Sequence, residues 1–428
     1  MRKIIYIFLI DLLISGAVAA WLYSARGVDA AFNTGLSIFV AFSPLCLILA
    51  ELLPIFLAKR KFAALNIKFN NPQALKLLPE VKVVAMSYNR VLTCNKYFIT
   101  DLLPTGLKQA ELLTMAASAE RDSEHIIGRT IYDSAVSRGL KLQKLTSTEE
   151  LPGRGVETMI RGVLVRVCTP GWALSQNVSI GIPLRTKIDQ LLVKGKTTLI
   201  VSTGRVTRGI IALRDEINIY GKNFLTSLRK NKIESLLLTA QPKKMAYRIS
   251  KEFEIDNIRT NLTPEGKARE IQIFRAKGKI VAFIGTDTQD LPALKTADIS
   301  FLLTNDAANP NEPDESKETV ELNEPDEFAE PKKSNALDKA TVDFKIPSLE
   351  NFLTVREISI KVAELLKINR RLASVSWVVL VPPAFLTALE TPPITFNPLL
   401  ALAGIAIFSA IILTNSLRIK ICAEKISL

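Results

Sequence analysis

The chain of 428 residues holds one histidine, His125, and four cysteines, Cys46, Cys94, Cys168 and Cys422. No two cysteines form a C-x-x-C pair, which excludes a disulfide framework and a structural zinc ribbon. One histidine excludes a multi-histidine metal site and leaves a single candidate for imidazole chemistry. Among the carboxylates, Asp11 and Glu51 stand inside apolar runs, where ionisable groups mark ion routes by default. The stretch from Asp306 to Lys345 concentrates 12 acidic against 5 basic residues, with prolines at 310, 313, 325 and 331. These acids lack the spacing of a calcium loop. Too little apolar surface accompanies them to drive ordering, so the stretch reads as a flexible acidic loop.

The elements that must position these residues begin with membrane segments. The chain is 48% apolar yet 23% charged, with a net charge of +13. That combination points to spans joined to a soluble part. Ile4 to Tyr23 is long enough to cross a hydrocarbon core of roughly 30 Å. A signal peptide is the competing reading, disfavoured by the length and by the second apolar run, Thr34 to Ala58. Two further runs cover Leu372 to Leu389 and Leu399 to Leu417. Basic residues sit at Arg2 and Lys3, at Lys59 to Lys61, at Lys367, Arg370 and Arg371, and at Arg418 and Lys420. The positive-inside rule then puts both termini and the large middle part in the cytoplasm of a multi-pass cell-membrane protein. The lipid bilayer is the first partner, and part of the basic excess meets anionic lipid. No nucleic-acid motif accompanies the charge, so nucleic acid is not expected as a partner.

In the middle part, Val81 to Met86 reads as a strand. Leu107 to Glu120 reads as a helix, with strands at Gly162 to Val167, Thr197 to Ser202 and Val206 to Leu213. After Asp215 helix and strand alternate: helices over 221–231, 244–253 and 265–276, strands over 235–239 and 279–284. Such repetition predicts a parallel, doubly wound sheet. Val81–Met86 is its first strand, separated from the rest by a large insertion.

The order of motifs resembles that of the P-type ATPases, and more narrowly their heavy-metal class, which includes copper exporters. Val91-Leu92-Thr93 and Ile99-Thr100-Asp101 are similar to the segments that follow the family's phosphorylated aspartate. Ser123-Glu124-His125 and Gly153-Arg154-Gly155-Val156 are similar to motifs of its nucleotide-binding domain. Pro264-Glu265-Gly266-Lys267 and Gly285…Asp290-Leu291-Pro292 are similar to the second half of its phosphorylation domain. The resemblance runs from about Thr34 to Arg418. It implies a membrane protein of four transmembrane helices plus a cytoplasmic α/β HAD-like phosphorylation domain with an inserted α+β nucleotide-binding domain. The expected divisions are helix pairs at 1–58 and 372–428, a phosphorylation domain from 59–96 and 214–304, a nucleotide domain at 97–213, the acidic loop at 305–346 and a linker helix at 347–371.

Against this pattern, the chemistry-bearing positions depart. Ser87 stands where the family has its phosphorylated aspartate, and a serine there has no obvious base. Arg90 replaces a glycine. Gln241 and Thr286 replace acids, the latter a magnesium ligand, so magnesium is not expected; Asp287, one residue on, is the alternative ligand. The family's C-P-C reads Ser43-Pro44-Leu45, which keeps the helix break and loses the thiolates that suit Cu(I). Ser376, Trp377 and Ile405 replace other transport-site residues, while Ser409 is kept. The first helices and the actuator domain of the family have no counterpart in this sequence. The chain therefore reads as truncated and degenerate at its catalytic and metal motifs.

What survives is the nucleotide site, where Glu124, His125, Gly153 and Gly155 match, implying ATP as a ligand. Thr239, Lys267 and Asp290 survive as phosphate-site remnants; retained scaffold is the plainer reading of all three. The expected function is a catalytically inactive, membrane-bound P-type ATPase-like pseudoenzyme, an ATP-binding scaffold or regulator with a protein partner in the membrane. The alternative is a subunit of a cation-transporting P-type ATPase completed by a partner chain. No catalytic residue and no metal ligand is expected.

Overall fold

Proline 44 has no backbone N–H to donate and cannot continue a helix from the preceding turn. In the computed structural model, which describes residues 2–151, 153–304, 342–389 and 396–424, the second apolar run accordingly divides there. It forms helices Val28–Ala41 and Leu45–Ala64, with Pro44 at the N-cap of the second. Helix Arg2–Arg26 precedes them. Near the C-terminus, Glu350–Ala388 is one continuous helix of 39 residues, followed by Pro398–Glu424. The expected linker helix and third span are thus a single element. Among the described residues, four helical segments, Ile5–Arg26, Val28–Ala64, Glu350–Ala388 and Pro398–Ile419, are long and apolar enough to cross a membrane. Ile38, Ala41, Cys46, Ala50, Ala373, Leu380, Ala401 and Ile405 pack among them.

The chain divides into two compact units. The first contains residues 1–80, 343–347 and 351–428; the second contains 81–342 and 348–350. The first unit also carries a short antiparallel pair, Lys68–Phe69 with Phe344–Ile346. Phe62, Phe69 and Phe344 stack around it. This corrects the expected acidic loop of 305–346: its last residues are strand, because Phe344 and Ile346 there supply the apolar surface that the acidic part lacks. Residues 305–341 lie outside the described residues.

The second unit is built on five adjacent parallel strands, in the order Ile299–Leu303, Val281–Gly285, Val83–Ser87, Glu234–Leu238, Asn257–Arg259. The three central strands are almost wholly buried, which is why they read as unbroken apolar runs in sequence. Helices Ile219–Lys230, Lys243–Phe253 and Pro264–Ala276 connect and cover them. Between the first strand and its partners the chain inserts a six-stranded antiparallel sheet. Its order is Thr93–Pro104, Val206–Ile217, Thr197–Thr203, Val163–Cys168, Gly155–Ile160, Leu145–Leu151. Helices Gln109–Ala119 and Ile126–Ser137 pack on one face, around Leu112, Leu113, Ala116 and Ile131. Strands Thr93–Pro104 and Val206–Ile217 run through both expected boundaries of the insertion, at 97 and 213. They serve as connection and as sheet at once.

Candidate functional site

Two groups of side chains in the second unit merit description. The first lies at the carboxyl ends of the central parallel strands, where ligands of open α/β sheets bind. Ser87 ends its strand, and Thr239 and Thr286 directly follow theirs. The Ser87 hydroxyl donates to Asp290 Oδ1 at 2.6 Å. Lys267, on the first turns of helix Pro264–Ala276, donates to Ser87 Oγ at 3.1 Å and to Asp290 Oδ1 at 2.8 Å. The Thr286 amide donates to Asp290 Oδ2 at 3.0 Å, and the Thr286 hydroxyl to the Asn89 carbonyl at 3.3 Å. Ser87 is 3% and Asp290 2% exposed. The serine expected to lack a base therefore touches a carboxylate. That contact joins residues 203 positions apart and is invisible to local sequence reading. Thr239 Oγ1 accepts from the Gln241 amide at 3.1 Å, so Gln241 contributes backbone to the turn.

This donor set does not fit a magnesium ion. Such an ion takes octahedral oxygen ligands, including one or two carboxylates. Both oxygens of Asp290 already accept hydrogen bonds, and an ammonium sits against one of them. Asp287 is turned into its own loop, where its carboxylate accepts from the Thr288 amide and hydroxyl. Among the described residues no group of three or more His, Cys, Asp or Glu side chains is placed to hold a metal.

Arg90 has φ +62°, the left-handed region that glycine occupies without strain. The turn after the first strand keeps this shape with a bulky residue in it.

The second group surrounds a cavity of about 190 Å³ in the inserted sheet, lined in part by Glu120, Ser123, His125, Glu150, Gly153 and Gly155. Pockets for whole drug-sized ligands run to roughly 300–1,000 Å³, so this one suits a nucleobase rather than an entire nucleotide. His125 caps helix Ile126–Ser137: its Nδ1 accepts from the Ile127 amide at 3.2 Å. The surrounding protein holds the imidazole below its ordinary pKa by desolvation, against the opposing charge of Glu150. With Nδ1 accepting the Ile127 amide, Nε2 is the ring nitrogen left to carry a proton. Gly155 has φ +137°, and a Cβ there would fall 2.1 Å from the Val167 carbonyl oxygen. Only glycine lets the strand pass this close. Gly153, with φ +73°, shapes the preceding turn.

Of the residues expected at this site, Glu124 does not line the cavity and is exposed. Glu120, passed over in sequence, takes its place. It is 5% exposed, and its carboxyl is pushed up to about 7, first by burial and then by the charge of Glu150, with the Ser123 hydroxyl opposing. Glu120 ends the helix Gln109–Ala119, and no local sequence signal marks it as the cavity carboxylate.

In the first unit, the helix break is closed by side chains. Trp377 Nε1 donates to the Ser43 carbonyl at 3.1 Å and its ring stacks on Phe42 at 5.3 Å. Cys46 Sγ lies 3.7 Å from Ser409 Oγ and 3.9 Å from the Ile405 carbonyl, and is buried. Glu51 is paired with Lys76 at 3.0 Å and with Arg370. The Asp11 carboxylate has no hydrogen-bond partner among the described residues.

The described residues thus combine a parallel α/β sheet, an antiparallel insertion and apolar helices with a proline break. The proteins to which the chain is similar are P-type ATPases. The copper-exporting P-type ATPase of Bacillus subtilis is 29% identical over 285 residues, 66% of this chain and 35% of that protein. Copper-transporting ATPase 1 of Rhizobium meliloti is 27% identical over 391 residues, 91% of this chain and 44% of that protein. The crystal structure of a zinc-transporting PIB-type ATPase in its E2·Pi state superposes with a TM-score of 0.59 at 20% identity, covering 98% of this chain and 62% of that one. No family model matches. The chain is similar in sequence to these copper-transporting P-type ATPases, and it spans less than half the length of these curated relatives.

Proposed function

We propose that this chain is a membrane-bound P-type ATPase-like protein that binds an adenine nucleotide in the His125 cavity but forms no aspartyl-phosphate, acting as a scaffold or regulator. One observation carries the reading. Ser87 occupies the strand end where an acceptor carboxylate would stand, and its hydroxyl is locked between Asp290 and Lys267. A serine ester would lack the reactivity of an acyl phosphate, so no rapid phosphorylation and discharge follows. The cavity in the insertion supports the nucleotide half of the proposal, because it keeps glycine where nothing larger fits. The Trp377 plug at the helix break speaks against the alternative, an ion route completed by a partner chain. Incubation of the full chain with ATP and Mg²⁺ should leave hydroxylamine-sensitive phosphoprotein at background. Nucleotide titration should show binding that His125→Ala weakens. A labile phosphoprotein would overturn the inactive reading, and absence of binding would overturn the nucleotide reading.

A further inference from the structure

Helix Lys243–Phe253 places Lys243, Tyr247 and Lys251 at intervals of four residues, with Lys244 and Arg248 beside them, so all five share one face. That face lines a groove of about 1170 Å³, whose walls also include Val193, at the end of helix Ile182–Val193, and Ile258 of strand Asn257–Arg259. The charges of the groove are unevenly matched. Glu252, the acid of the lining, is shared by Arg214 at 3.5 Å and Arg248 at 3.8 Å. Lys244 meets Asp189 at 2.8 Å in an exposed pair. Lys243 and Lys251 have no carboxylate partner among the described residues; Lys251 lies over the Tyr247 ring at 4.7 Å. Tyr247 is 60% and Val193 53% exposed. The groove thus offers two unpaired ammonium groups beside an apolar strip. It is separate from the His125 cavity. Along strand Thr197–Thr203, Leu199 and Val201 pack toward helices Gln109–Ala119 and Ile126–Ser137, whereas Ile200 packs with Ile188 and Leu191 of helix Ile182–Val193 on the opposite face.

An occupant of matching chemistry lies in the chain itself. Residues 306–330 hold ten acidic side chains against one lysine, with Val320, Leu322 and Phe328 among them. They follow strand Ile299–Leu303, and the chain is anchored again at Val342, buried with Phe283 and Leu302 in the core of the same unit. From that strand to Asn257–Arg259 is four strand spacings, about 19 Å. Residues 305–341, fully extended, would span roughly 120 Å, ample to reach the groove and return. A tether of this kind supplies an effective concentration in the millimolar range, so a few weak exposed ion pairs suffice to hold the segment.

We propose that the groove beside helix Lys243–Phe253 is the docking surface for residues 306–330 of the same chain, held by ion pairs to Lys243 and Lys251 and by apolar contact with Val193 and Tyr247. The proposal is independent of the nucleotide reading.

The test uses the full chain in detergent micelles at low salt. Zero-length carbodiimide coupling, read by peptide mass spectrometry, should join Lys243 and Lys251 to acids of 306–330. The products should vanish in about 0.5 M NaCl, where the Debye length is roughly 4 Å. In a mixture of isotope-labelled and unlabelled chains each product should carry a single isotope. Mixed products would assign the contact to a second copy and overturn docking within one chain. Acetylation of Lys243 and Lys251 should run about fivefold slower in the parent than in a variant combining Glu315→Gln, Glu318→Gln, Glu321→Gln, Glu324→Gln and Glu327→Gln, the effect of a few exposed pairs acting together. Lys251→Glu should likewise release Lys243 to the faster rate. Exposed Lys230 should label alike in all three chains, which guards against mere unfolding. No coupling between these groups, coupling that survives the salt, or equal acetylation rates in parent and variant each overturns the proposal.

Discussion

Asp290 and Glu120 are both buried carboxylates in the same compact unit, and the protein treats them oppositely. Asp290 is met by an ammonium, a hydroxyl and a backbone amide. Glu120 pairs with no cation among the described residues, sits near Glu150 and is pushed up to about 7. The strand-end cluster is thus electrostatically complete, whereas the cavity in the insertion holds a carboxyl whose proton is loosely balanced at neutral pH. A site complete in itself is stable without metal or phosphorylation. A site left unbalanced is one whose state a ligand can change.

The largest effect expected from breaking this contrast is at Asp290. Asp290→Ala strands the part-buried Lys267 ammonium, and removing one member of a buried pair costs up to about 3–5 kcal/mol. Urea denaturation of the detergent-solubilised chain measures it. A loss below about 1 kcal/mol, the worth of an exposed pair, would show that the cluster is less self-contained than its geometry indicates. Next is Gly155→Ala, which forces a methyl against the Val167 carbonyl. It should destabilise by about 1–3 kcal/mol through overpacking and strain and distort the cavity. Unchanged stability in the same assay would refute the claim that only glycine fits.

The pH response sharpens the other half. Glu120 moves from an ordinary value of 4.5 to about 7 on folding, so between those values the folded chain binds more protons than the unfolded one. Its contribution is therefore full below pH 4.5 and is lost as pH rises toward 7. The slope reaches at most about 1.4 kcal/mol per pH unit. Glu120→Gln should flatten the stability profile in that window, and a profile identical to the parent would remove the contrast with Asp290. The smallest effect is Arg90→Gly. Relief of the left-handed backbone should stabilise by up to about 1 kcal/mol, partly offset by a freer unfolded chain. A lower melting transition would instead assign the Arg90 side chain a stabilising contact.

Much of the fold was legible because its signals are local. The apolar runs, the Pro44 break and the alternation of strand and helix after Asp215 each depend on neighbours within a few residues. The strand at Phe344–Ile346 was not legible. Its apolar residues are too few to signal by themselves, and Lys68–Phe69, which pairs with it, lies far away in sequence. Likewise, nothing near Glu124 in sequence shows that it points to solvent while Glu120 lines the cavity. That depends on how helices Gln109–Ala119 and Ile126–Ser137 pack against the sheet.

The sequence alone determined which groups are available: one histidine, a serine at the end of the first strand, glycines at tight turns, and few charges in the membrane. These are matters of composition and short-range spacing. Only the tertiary structure decided what those groups do to one another. It joined Ser87 to Asp290 across 203 positions and set Trp377 against Ser43 across 334. Hydrogen bonds and charges act through space over a few ångströms, and only folding brings such distant positions within that range.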